Sequence, residues 1–165
     1  MKKFILFALC LLFCFVAIAQ DKKEYLYEIE SFEGRVAAEG GSCLVKVWSY
    51  GKREKITRKH CMEMAIHGVL FKGYAAANNL SADKGRKALV PEGYASHKEY
   101  FDKFFSSGEY LQYVQLTNNG AISAQDLIKV SKREYKIGMV VLISYDALRK
   151  RLENDNIIKR LDFLF

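Results

Sequence analysis

Two histidines and a carboxylate stand at a spacing that a helix would bring into line. His60 and His67 are seven residues apart, with Glu63 between them, and seven helical steps of about 100° return almost to the starting direction. Two imidazoles and a carboxylate are a donor set that suits zinc. The rise works against a shared ion, because seven residues climb about 10.5 Å while zinc ligands sit about 2 Å from the metal. His60, Glu63 and His67 therefore support two readings, a metal site and, more simply, a row of boundary residues between core and solvent. Cys61 adjoins His60, but neighbours in a helix do not face each other, so the pair is no nucleophile and base. The chain contains no G-x-S-x-G elbow, phosphate loop, dinucleotide glycine pattern, calcium loop or paired carboxylates. The sequence implies no cofactor, and a non-catalytic role is the expectation; the alternative is a small-molecule or metal-binding protein, or an enzyme, that uses His60, Glu63 and His67.

Binding chemistry is better represented. Lys52, Arg53 and Lys55 precede the same helical stretch, with Arg58 just beyond and Glu54 as the local counter-charge. A helix start favours anions and disfavours cations, so this cluster is either an anion site built with the helix N–H groups or a solvated basic loop. Trp48 and Tyr50 lie on the preceding strand, on the side that mixes aromatics with Lys46. Aromatic and arginine side chains are frequent binding anchors. Trp48, Tyr50, Lys52, Arg53, Lys55 and Arg58 are thus the candidate binding surface. A second basic cluster, Lys84, Arg86 and Lys87, falls in 74–95, a stretch without periodicity that holds the single proline.

The element that must position both sets is a helix over 54–73. Cys61, Met64, Ala65, Gly68 and Val69 follow the spacing of one helical face. Ile66, Leu70 and Phe71 widen the apolar arc, so the C-terminal end should be the more deeply buried. Gly73 after Lys72 suits a left-handed terminator. Gly68 costs about 1 kcal/mol against alanine, which close approach of the helix to a sheet would offset.

Residues 24–32 alternate as a strand, 33–41 read as a hairpin loop, and 42–50 form a second strand with Cys43, Val45 and Val47 towards the core. Ser96 and Glu99 have capping-box spacing for a short helix to about residue 106, with Tyr100, Phe101, Phe104 and Phe105 buried. Strands are expected at 110–116 and 126–130, with an Asn118-Asn119-Gly120 turn between them. The apolar run 137–145 reads as a central strand buried on both faces. Asp146 caps a last helix over 147–154, and 157–165 packs back as a tail. The expectation is an α+β fold: a two-layer domain with a mostly antiparallel or mixed sheet of about four or five strands, one long central helix and two shorter helices.

The chain opens with Lys2 and Lys3, an apolar run over 4–16 and Ala17-Ile18-Ala19 before Gln20, the organisation of a secretory signal peptide. Residues 1–19 are expected to be removed, leaving a single domain over 20–165, periplasmic or secreted, with no transmembrane segment after cleavage. Of four cysteines, Cys43 and Cys61 remain. An oxidising compartment permits a disulfide, but a helix folded back along its strand would leave the two at different heights, so two buried thiols are expected. The formal charge of +7 favours an anionic partner, and the export signal disfavours nucleic acid.

At residues 65–73, 100–114 and 135–155 the chain resembles a family of small secreted proteins from Bacteroidetes-type Gram-negative bacteria to which no function is assigned. In layout it is similar to the amino-terminal domains of TolB and to envelope assembly factors. That similarity implies a periplasmic binding or assembly module without catalysis, and it carries over no site residue; the partner expected for the chain is an envelope protein or an anionic cell-envelope component.

Overall fold

Two nine-residue strands, β2 (Cys43–Gly51) and β7 (Tyr135–Ile143), pair antiparallel along their whole length, Cys43 opposite Ile143 and Gly51 opposite Tyr135. The structure is a computed structural model and describes residues 26–32, 41–78 and 83–160. The expected signal peptide, most of the 33–41 loop and residues 161–165 of the tail lie outside the described residues. Side chains alternate across a strand, which places Cys43, Val45 and Val47 on one face with Ile143, Val141 and Met139 opposite them, all buried.

Short strands complete the sheet. β1 (Tyr27–Ser31) runs antiparallel to β2, while β5 (Val114–Leu116) and β6 (Leu127–Lys129) pair with different stretches of β7. β3 (Tyr74–Ala75) joins β1 in parallel at Glu30 and Ala75 and pairs antiparallel with β4 (Gly85–Arg86). The result is a mixed, seven-stranded sheet in the order β4-β3-β1-β2-β7-β5, with β6 also on β7. The expected mixture of helix and sheet is present, but the expected strand count was too low. The two strands not expected, β3 and β4, have two residues each, too few for an alternating pattern to register.

The expectation of one long helix is also corrected. α1 (Arg58–Phe71) has 14 residues and α3 (Tyr145–Asn154) has 10. α2 (Lys98–Ser106) has nine. α1 starts at Arg58 because Thr57 caps it, its Oγ1 accepting the His60 N–H at 3.1 Å. Residues 53–55 form a separate 3-10 turn. At the other end Gly73 takes φ +71° and its N–H reaches the Gly68 carbonyl at 2.8 Å, the left-handed ending expected.

Residues 64–70 of α1 are buried without a break. Gly68 lies against Ile29 and Tyr27 of β1, while Phe101 and Phe105 of α2 make ring contacts with Phe71 and His67 of α1. α1 is therefore enclosed by sheet and aromatic layer together. No helix among the described residues is long and apolar enough to cross a membrane.

Four local expectations change. The last helix starts at Tyr145 with Ser144 at its N-cap, so Asp146 lies in its first turn rather than capping it. Ser96 does not cap α2; its Oγ donates to the Gly93 carbonyl within a 3-10 turn over Tyr94–His97. Residues Glu109–Tyr113 are a 3-10 turn rather than strand, with Tyr110 fully buried. Among the described residues the Tyr110 hydroxyl is the buried side-chain polar atom without a hydrogen-bond partner; burial, with Glu63 nearby, pushes it up to about 12. β7 is buried on its helix side, but Val140 and Leu142 on the other face are half-buried.

Cys43 and Cys61 are free, buried thiols. Cys61 Sγ lies 3.6 Å from Ser49 Oγ, six strand residues from Cys43, or about 20 Å. Burial pushes the Cys43 thiol up to about 11 and raises that of Cys61.

Candidate functional site

The metal donors suggested by the sequence do not converge. His67 is buried, its Nδ1 sharing a 2.7 Å hydrogen bond with the Tyr27 hydroxyl, and Phe71, Phe105 and Tyr94 surround its ring. His60 is half-exposed two turns earlier, and Glu63 is half-buried beside Tyr110. Among the described residues no three His, Cys, Asp or Glu side chains form a group that could hold a metal ion. Helical periodicity aligned the three residues; the rise separated them.

The sheet face turned away from α1 carries the other candidates. Register arranges it in rows. Leu26 pairs with Tyr50 through the Tyr50 N–H and Leu26 carbonyl, Tyr50 lies opposite Lys136, and Lys136 opposite Ile128. The next row is Glu28, Trp48 and Gly138, and the third is Glu30, Lys46 and Val140. Trp48 and Tyr50 are half-exposed, as their alternation with core residues requires.

Trp48 rests over Gly138. A Cβ at Gly138 would stand 2.9 Å from Trp48 Cζ3 and 3.1 Å from Lys46 Cε, so the missing side chain makes room for the indole. Glu30 accepts the Trp48 Nε1–H at 3.0 Å. The Lys46 and Lys136 ammonium groups lie 4.7 and 4.9 Å from the indole centroid, within cation–π range. Lys46 is paired with the buried Asp126 at 2.5 Å. Lys136 donates to Glu28 at 2.8 Å, and the Tyr50 hydroxyl donates to the other Glu28 oxygen. Those two hydrogen bonds hold the Glu28 carboxyl below its ordinary range, and the same partners raise Lys136. The centre of this face is thus neutralised by its own charges.

A Gly138→Val variant is expected to lift the indole off the sheet. Overpacking costs about 1–3 kcal/mol, offset in part by the strand preference of valine, worth up to about 1 kcal/mol. Trp48 is the single tryptophan, so its emission spectrum and a urea titration measure both effects; an unchanged emission maximum would contradict the arrangement.

The cations at the end of the sheet differ from those at its centre. Gly51 and Lys129 both lie opposite Tyr135, so the 52–55 segment emerges beside the β6–β7 hairpin. Ile56 fixes it there, buried with Ile137 and Met139 and packed against Leu127 and Tyr135. Lys52, Arg53, Lys55, Lys129, Lys132 and Arg133 are all exposed and make no ion pair among the described residues. Glu54 and Glu134 are the carboxylates within this tip, also exposed. Arg58, likewise exposed, points across the 117–120 turn, where a Gly120 Cβ would stand 3.0 Å from its Nε.

Backbone N–H groups of Lys55, Ile56 and Thr57 bond within the basic turn, so these cations decorate a turn at the sheet tip rather than the start of α1. Sequence reasoning missed Lys129, Lys132 and Arg133. The signal was a basic pair between two strand-like runs, but its neighbour across the sheet follows only from the β2–β7 pairing. The Lys84, Arg86 and Lys87 cluster lies elsewhere, beside β1 and Lys72 around an open cavity of about 710 Å³. Arg86 there is turned over the Tyr145 ring at 4.2 Å. No family model matches the chain, and no match to a curated protein or a solved structure is found.

Proposed function

We propose that this domain is a non-catalytic binding module of the cell envelope, acting outside the cytoplasmic membrane, that docks on an anionic envelope component through its basic sheet tip. The observation that supports this reading is the contrast in charge pairing. Lys46 and Lys136 are satisfied by Asp126 and Glu28, whereas the six exposed cations of the tip face two carboxylates and form no ion pair among the described residues. Exposed cations gathered on a rigid support attract an anionic surface at long range and lose that attraction as salt rises.

The test is co-sedimentation of the purified protein with an isolated envelope fraction across a salt series. Lys52→Glu with Arg53→Glu should reduce the bound fraction at least about tenfold, on the scale of about 1 kcal/mol per cation near an anionic surface. Thermal melting should stay close to wild type, since both side chains are exposed. Binding that ignores salt and survives the double reversal overturns the reading.

A further inference from the structure

Exposed aliphatic side chains share the tip with the cations. Ile128 is 44% exposed and Val130 56%, and Leu26 across the same end of the sheet is 58% exposed. Ile128 and Val130 are two residues apart and so point to the same side of the chain. That is the side of Lys136 and Tyr50, because Ile128 lies opposite Lys136. Directly beyond Val130 the chain turns through Ser131, Lys132 and Arg133, and the turn is closed by the Val130 and Ser131 N–H groups on the Glu134 carbonyl, at 2.9 and 3.2 Å.

Resting on the reading above, we propose that the anionic component is a phospholipid bilayer surface, which the β6–β7 hairpin meets edge-on with Ile128 and Val130 entering the headgroup boundary. Charge complementarity argues for an anionic surface. The aliphatic pair argues for a bilayer over a soluble polyanion. A hydrated anionic polymer or a phosphate ion gives no place to bury branched aliphatic side chains, whereas the interfacial region takes apolar groups and basic groups side by side. Lysine and arginine stems reach outward along such a boundary while their charges stay in water. Lys132 and Arg133 follow the pair in the turn and would hold headgroup phosphates as Ile128 and Val130 descend, while Lys129, between the two in sequence, projects from the opposite side of the strand.

The experiment uses the protein as recovered from the producing cell, with vesicles of phosphatidylcholine alone and of phosphatidylcholine and phosphatidylglycerol in equal parts. Any apolar leader left on the chain contributes equally to every variant and to neutral vesicles. Wild type should bind the anionic vesicles and release them at high salt. Lys132→Glu with Arg133→Glu should lower partitioning by about 30-fold or more, taking about fivefold per cation. Ile128→Ser with Val130→Ser should lower it by about tenfold through lost apolar burial without changing net charge. Equal binding of the serine variant and wild type overturns bilayer entry. Failure of wild type to bind vesicles, while envelope binding still depends on Lys52 and Arg53, overturns the lipid assignment and leaves the binding-module reading standing. Envelope binding that is also indifferent to Lys52 and Arg53 removes both.

Discussion

Truncating Phe101 to alanine is expected to destabilise the domain by about 3–5 kcal/mol, as full loss of a buried phenylalanine ring does. The side chain is 0% exposed. Its ring meets Phe71 edge-on at 4.8 Å, Tyr100 at 5.1 Å and Tyr94 at 5.7 Å, contacts worth more than their area alone. The local consequence is larger than a cavity. α2 has nine residues, and isolated helices shorter than about 12–15 residues are marginal in water, so its aromatic face is what keeps it helical. Domains of this kind hold about 5–15 kcal/mol in total, and at about 2–4 °C per kcal/mol the melting temperature should fall by about 6–20 °C. Chemical denaturation followed by circular dichroism measures it. A loss under about 1 kcal/mol would mean that the aromatic layer is not part of the cooperative core.

Phe101 was legible in the sequence, and so were the other elements whose residues repeat with a clear period. The alternation of Cys43, Val45 and Val47 named the buried face of β2, and from it followed the half-exposed positions of Trp48 and Tyr50. The Asn118-Asn119-Gly120 signal reads out as three left-handed residues, φ 50°, 54° and 70°, which only these residue types adopt readily. Burial of α1 did deepen towards its C-terminal end. Most of what stayed hidden was decided by partners distant in the chain. The two-residue strands β3 and β4 exist because β1 offers an edge, and nothing in their own composition says so. Ser96 has the spacing of a cap but bonds to Gly93 instead, a local choice won by the turn before it.

The candidate site divides along the same line. Residues at the tip were half found, because Lys52, Arg53 and Lys55 are adjacent in sequence while Lys129, Lys132 and Arg133 join them only through the β2–β7–β6 register. Gly138 could not be read at all. In a run of apolar residues its lack of a side chain acquires meaning once Trp48 is known to lie opposite it. The histidine pair shows the converse. A periodicity that was real placed His67 in an aromatic enclosure, where Tyr27 takes its Nδ1, so regular spacing located the residue correctly and misjudged what surrounds it.

Filling Gly68 with leucine should be the second severe substitution. A Cβ there would stand 2.8 Å from Ile29 Cδ1, 3.1 Å from Ile29 Cγ2 and 3.2 Å from Tyr27 Cε2, so α1 approaches β1 as closely as it does only because nothing projects from position 68. Glycine gives up about 1 kcal/mol of helix propensity at this position, and the close contact offsets it. Alanine should come out near neutral, its gain in propensity set against a shift of the flexible end of Ile29. Leucine cannot be accommodated by that shift. It must push α1 away from β1, disturbing the Tyr27–His67 hydrogen bond at the preceding residue of the helix, at a cost of about 1–3 kcal/mol for overpacking or somewhat more. Adding Ile29→Ala should return part of the loss by supplying the missing volume. The two changes should therefore couple by about 0.5–3 kcal/mol in a double-mutant cycle. Equilibrium unfolding of the four proteins provides the test. If Gly68→Leu matches wild type, or the two changes simply add, then close packing of α1 on β1 is not what the glycine provides.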